Sequence, residues 1–130
     1  MSESVVPARY RILVADDEPA ITALIDIMLR HAGFDVVQAQ GGVEAISLAR
    51  QERPDLILLD VMMPDLDGRE ACKLLKIDRT LRSVPVVLVS SADERDVEWR
   101  GAGADGFLQK LFNIRGLPAV VRRYLPPGER

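Results

Sequence analysis

Asp16, Asp17 and Glu18 directly follow the apolar run at 12–15, and Asp60 directly follows the run at 56–59. If both runs are strands and lie side by side, their acids meet at one edge. Unit charges about 4 Å apart repel by about 4 kcal/mol at an effective dielectric of 20, so such a cluster calls for a cation, a proton or a nearby ammonium. Mg²⁺ suits it. This hard ion takes oxygen ligands in octahedral geometry and keeps several waters, so two carboxylates and a backbone carbonyl are enough protein ligands. Lys110 follows a further apolar run at 107–108 and would bring a fixed positive charge to the same edge. Acids, a divalent cation and a lysine together suit phosphoryl transfer, where positioning and neutralisation of the phosphoryl oxygens supply most of the catalysis.

These groups need a scaffold that ends several strands at one edge. Apolar runs at 12–15, 36–39, 56–59, 86–89 and 107–108 alternate with segments of helical period, the pattern of an α/β protein with a mostly parallel sheet. Ile21, Leu24, Ile25, Met28 and Leu29 share one helical face, and Gly33 stops that helix. Further helices are expected over 43–50, 69–76 and 93 to about 100. A last one has Leu117, Val120, Val121, Tyr124 and Leu125 on one face. A strand as apolar as LILLD is typical of a sheet covered on both sides, which predicts a three-layer, doubly wound fold. Ligands of such folds bind outside the carboxyl ends of the strands, where the acids lie.

Composition sets the outer bounds. A chain of 130 residues fits one domain, and 48% hydrophobic with 28% charged residues is that of a globular protein with a real core. With 17 Lys plus Arg against 20 Asp plus Glu, the net charge of −3 gives no basic footprint for nucleic acid. The single cysteine, Cys72, allows neither an internal disulfide nor a cysteine zinc site and suits a reducing compartment. No stretch approaches the ~18 uninterrupted apolar residues of a membrane span, and the opening residues form no signal peptide. A cytoplasmic protein without membrane contact is expected.

The segments ILVADDEP at 12–19, LILLDVMMPDLDG at 56–68, PVVLVSSA at 85–92 and GADGFLQK at 103–110 occur in this order and spacing. Together they resemble a response-regulator receiver domain, the partner of histidine kinases in two-component signalling. The resemblance covers about residues 11–125, leaving 1–10 as an N-terminal arm and 126–130 as a tail or linker. It implies a flavodoxin-like (βα)5 fold with a five-stranded parallel sheet of order 2-1-3-4-5. It also implies that Asp60 is the phosphoacceptor, and that Asp16, Asp17, Asp60 and the backbone carbonyl of Met62 hold Mg²⁺. Ser90 and Lys110 would contact the phosphoryl group, with Ser90 and Phe107 as the switch pair. The implied donor is a sensor histidine kinase or histidine phosphotransfer protein. The protein would be a signalling switch that catalyses its own phosphorylation and dephosphorylation, not an enzyme of metabolism. Partner binding would change on the face of the fourth helix, fifth strand and last helix; the downstream effector is unknown.

Some features depart from that pattern or imitate others. Receivers typically have proline after this lysine, whereas this chain has Leu111, and a cis bond to a non-proline residue costs about 2.5–4 kcal/mol. Gly106 stands where many winged-helix regulators carry an acid used in a symmetric dimer, so that dimer is not expected. Met62 and Ala92 occupy positions that resemble those tuning phosphoryl lifetime, and neither offers an acid or base. GAGADG at 101–106 matches a dinucleotide fingerprint only formally, because it leads from helix to strand rather than strand to helix. Glu18 either supports the residues of the acidic site or is a favourable acid near a helix start; Asp65 and Asp67 are read as loop acids, His31 as a helix-end residue and Cys72 as packing. Two rivals share the sequence. One is a pseudo-receiver that binds partners without phosphorylation, and the other is a small magnesium phosphohydrolase, for which this length leaves little room for a cap.

Overall fold

The computed structural model describes residues 9–93, 95, 97–110 and 114–126. Five strands, β1 (Arg11–Ala15), β2 (Asp35–Ala39), β3 (Leu56–Asp60), β4 (Val86–Ser90) and β5 (Gly106–Gln109), form one sheet. Their order is β2-β1-β3-β4-β5, and every neighbouring pair is parallel. Among the described residues four α-helices accompany them: α1 (Pro19–His31), α2 (Gly42–Glu52), α3 (Gly68–Ile77) and α4 (Leu117–Tyr124), the last after a 3₁₀ turn at Ile114–Gly116. This is the expected doubly wound architecture.

Side chains that alternate along each strand serve two separate cores. Leu13, Ala15, Ile57, Leu59, Val86 and Leu88 pack with Ala45 and Ala49 of α2 and with Ala71, Cys72 and Leu75 of α3. Ile12, Val14, Leu56, Leu58, Val87 and Val89 pack with Ile25 and Leu29 of α1 and Leu117 and Val121 of α4. The sheet is thus the middle of three layers. All ten residues of β3 and β4 are buried, as continuous apolar strands between two helical layers must be.

Local chemistry sets the boundaries. Pro19 opens α1 at a position where its missing N–H costs nothing, and Gly33 ends it at φ +100°, the left-handed conformation expected of a glycine stop. Thr22 is fully buried in the first turn, and its hydroxyl donates to Glu18 O at 3.2 Å. In α4, Pro118 lies within the first turn and is tolerated there.

The helix expected between β4 and β5 is a correction. Glu94 and Asp96 lie outside the described residues, and the described residues of this stretch form turns rather than an α-helix. Trp99 N donates to Val97 O, Ala102 N to Glu98 O, and Gly103 N to Arg100 O, after which Gly103 turns at φ +87°. Val97 and Ala102 are the buried contacts to the sheet, too few to form a helical stripe, and Gly101 and Gly103 disfavour helix.

At the edge where the strands begin, Lys76 Nζ donates to Val84 O at 2.9 Å and to Asp105 Oδ2 at 2.8 Å, and the same carboxylate accepts from Val86 N. The described ends also meet there. Tyr10 Oη donates to Pro126 O at 2.7 Å, so the residue before β1 touches the chain just after α4.

Candidate functional site

Parallel register brings the acids together. Ala15 pairs with Leu59, so Asp16 and Asp60 are the next residues on adjacent strands, and Asp60 itself pairs with Val89 on its other side. Ser90 ends β4 opposite Gln109, and Lys110 follows β5, with Lys110 N donating to Ser90 O. One sheet edge therefore carries Asp16, Asp60, Ser90 and Lys110 from four strands. Asp16, Asp60 and Ser90 are each only 2% exposed.

Lys110 is the hub. Its Nζ lies 3.3 Å from Asp16 Oδ2, 3.2 Å from Asp60 Oδ2 and 2.6 Å from Glu18 Oε1. Burial works against its charge, yet the bond to Glu18 and the charges of Asp60 and Asp16 outweigh that and push its pKa up. Asp60 goes the opposite way from an ordinary exposed carboxyl. Burial, then repulsion from Asp16, push it up to about 7, although Lys110 and the Met62 N–H draw it down. One ammonium therefore does not balance the acids around it.

Carboxylate oxygens of Asp16, Asp17 and Glu18 all lie within 4.8 Å of one another, an oxygen-only donor set that suits a hard divalent ion. Asp17 and Glu18 face solvent and Asp16 faces inward, so an ion has an open approach and a buried anchor. The residues fit Mg²⁺. Of the expected set, Asp16 and Asp17 belong to this cluster, while Asp60 joins the group through the shared lysine. Of the two places open to Glu18, the structure favours the one beside the site: its backbone starts α1, but its carboxylate makes no cap and turns to Lys110.

Backbone contacts frame Asp60. Met62 N donates to Asp60 Oδ1 at 3.3 Å, and Gly68 N to Val61 O at 2.9 Å, closing the segment 61–67 into a tight loop. A Cβ on Gly68 would stand 2.2 Å from Asp60 O, so only glycine lets α3 start this close to β3. Asp67 caps α3 by accepting from Arg69 N at 2.7 Å. Ser90 Oγ accepts from Ala92 N at 3.0 Å. Phe107 is half-buried on β5 beside Leu88. Leu111, where the sequence departs from the expected proline, lies outside the described residues.

The response regulator receiver domain family matches residues 12–122. The chain belongs to this family. It is 39% identical over 122 residues to the DNA-binding dual master transcriptional regulator RpaA of Synechocystis sp., covering 92% of this chain and 51% of RpaA. The chain spans about half the length of the curated relatives it matches. The chemotaxis protein CheY4 of Vibrio cholerae superposes with a TM-score of 0.85 at 31% identity, covering 91% of this chain and 100% of CheY4. The receiver domain of sensor histidine kinase PA1611 from Pseudomonas aeruginosa PAO1, with a magnesium ion coordinated in its active site cleft, superposes with a TM-score of 0.81 at 28% identity, covering 90% and 98% of the two chains. As a receiver domain, the protein functions in phosphorylation-mediated two-component signalling. Its acidic pocket is of the kind in which receiver domains bind Mg²⁺.

Proposed function

We propose that Asp60 is the phosphoacceptor of this receiver domain and that the chain catalyses its own modification. The supporting observation is Lys110 Nζ within 3.3 Å of both Asp16 and Asp60, in a cluster that holds more acids than this one ammonium balances. In the reaction a carboxylate oxygen of Asp60 bonds to phosphorus as the P–N bond of a donor phosphohistidine breaks. The electron pair of that bond leaves with the imidazole, which takes a proton. Lys110 neutralises the incoming phosphoryl oxygens, and the Met62 N–H orients the carboxylate that attacks.

Asp16, Asp17, Asp60 and the Met62 carbonyl, with Glu18 beside them, would hold Mg²⁺, which would supply the positive charge that the phosphoryl oxygens require. Near neutral pH a carboxyl with a pKa of about 7 is partly protonated and a poor nucleophile, so added positive charge also favours its reactive form. Ser90, buried at the end of β4, donates its hydroxyl to the new acyl phosphate in exchange for its contact with Ala92. Phe107 on the neighbouring strand responds to that movement. The output surface is the face of β5, α4 and the turns at 97–104, and the change is a shift between two populations.

The donor is a histidine kinase or histidine phosphotransfer protein, and the receiver domain is taken as residues 11–125. Because RpaA is described as DNA-binding and this chain spans about half its length, the controlled effector is a separate domain or protein. With a net charge of −3 the chain gives no basic footprint for nucleic acid, and no helix among the described residues is long and apolar enough to cross a membrane. Cytoplasmic action follows from a kinase partner that uses ATP. Intact-mass spectrometry after incubation with Mg²⁺ and acetyl phosphate is the test. One phosphoryl mass is expected on the wild type and none on Asp60→Asn or in chelator. Uptake by Asp60→Asn to the same extent would refute the assignment.

A further inference from the structure

Asp65 lies in the loop 61–67 between β3 and α3, yet its carboxylate serves another element. Asp65 Oδ1 accepts from Gly42 N at 3.0 Å and Oδ2 from Val43 N at 3.1 Å, the first main-chain donors of α2. The residue at the α2 N-cap, Gly41, has no side chain to provide that cap. The same two bonds, Val43 first, hold the Asp65 carboxyl below its ordinary value. Space around the contact is closely fitted. A Cβ on Gly41 would stand 2.7 Å from Asp65 Oδ1, and one on Gly42 would stand 2.9 Å from Leu66 Cβ. At Gly41 φ is −171°, extended backbone open to any residue, so glycine there answers to the carboxylate and not to strain.

The loop is thus fastened at two points. Gly68 closes it against Val61 and Asp60, and Asp65 ties its middle to α2. Between those points, Met62 N reaches Asp60 Oδ1. We infer that Asp65 is a positioning residue for the reaction at Asp60, because its clamp on the start of α2 holds the Met62 main chain against the reacting carboxylate. This rests on Asp60 being the phosphoacceptor. The exposed carboxylate does not touch the reacting atoms; it acts through the loop.

The test compares wild type, Asp65→Ala, Asp65→Asn, Gly41→Ala and the Gly41→Ala/Asp65→Ala double variant. Two quantities are read: phosphorylation rate with Mg²⁺ and acetyl phosphate by intact mass, and amide hydrogen exchange of Met62 in the metal-free protein. Asp65→Ala is expected to slow phosphorylation about tenfold, since small misplacements of reacting groups cost that much or more. Exchange at Met62 should quicken while Ile57 and Leu58 in β3 stay protected, which a general loss of stability would not give. Asp65→Asn, which keeps one acceptor, should fall between. Gly41→Ala pushes the carboxylate away from the other side and should behave like Asp65→Ala, and it should add nothing in the double variant. An unchanged rate or unchanged Met62 exchange in Asp65→Ala overturns the inference, as does an additive double variant. Failure of the wild type to gain mass overturns the phosphoacceptor assignment instead.

Discussion

Asp60 and Lys110 both have raised pKa values, so both favour the folded state less as pH rises, but in different windows. The folded Asp60 carboxyl holds its proton up to about 7 against an ordinary 3.8, so between those values the folded state binds more protons than the unfolded chain and loses stability as pH rises. In metal-free protein, Asp60→Asn should therefore stabilise, on the order of 2 kcal/mol at pH 8 and close to nothing near pH 4. Urea unfolding at the two values checks it. Lys110 has a raised pKa, so its contribution is complete below the ordinary 10.5 and lost only at higher pH. Lys110→Met leaves Asp16 and Asp60 buried without their cation and should cost about 3 kcal/mol at pH 8, less near pH 4 where Asp60 is protonated. Sequence showed these residues because their types and order along the chain point to one edge. It did not show that Glu18 turns to a lysine 92 positions away, or that Asp65 caps a helix that starts 23 residues earlier. An acid beside a helix start or in a loop reads the same whether its partner is water or a distant strand.

At the scale of elements, the five strands were legible because runs such as LILLD have no other home than the middle of a covered sheet. The stretch between β4 and β5 was not. Asp93, Glu94 and Asp96 resemble the acidic first turn of a helix, but the apolar contacts of that stretch come down to Val97, the half-buried Trp99 and Ala102. Asp67, read from sequence as a loop acid, proves to be the local cap of α3: Asp67→Ala should remove that cap and cost about 1 kcal/mol in thermal or urea unfolding. Gly106 has a different reason to be glycine. A Cβ there would stand 2.1 Å from Tyr124 Oη, so the room for a side chain at this position is filled by α4. Gly106→Ala should cost about 1–3 kcal/mol through overpacking, and shortening the ring with Tyr124→Leu in the same chain should recover part of it.

The whole molecule is two cores that share one sheet. Leu29 and Leu75 are both fully buried, but one sits under α1 and the other under α3 on the opposite face. Each truncation to alanine should cost about 2–5 kcal/mol, and the double variant should equal their sum within about 0.5 kcal/mol. Coupling beyond that would mean that the sheet passes strain from face to face. The bond between Tyr10 and Pro126 has a consequence of a different kind. Entry and exit of the chain are neighbours at the edge where strands begin, one strand length of about 17 Å from the carboxylates. The domain is therefore a cassette. It can be spliced into a host loop, or its ends can be joined and reopened elsewhere, and the chemistry at the far rim would not register which route the backbone took to reach it.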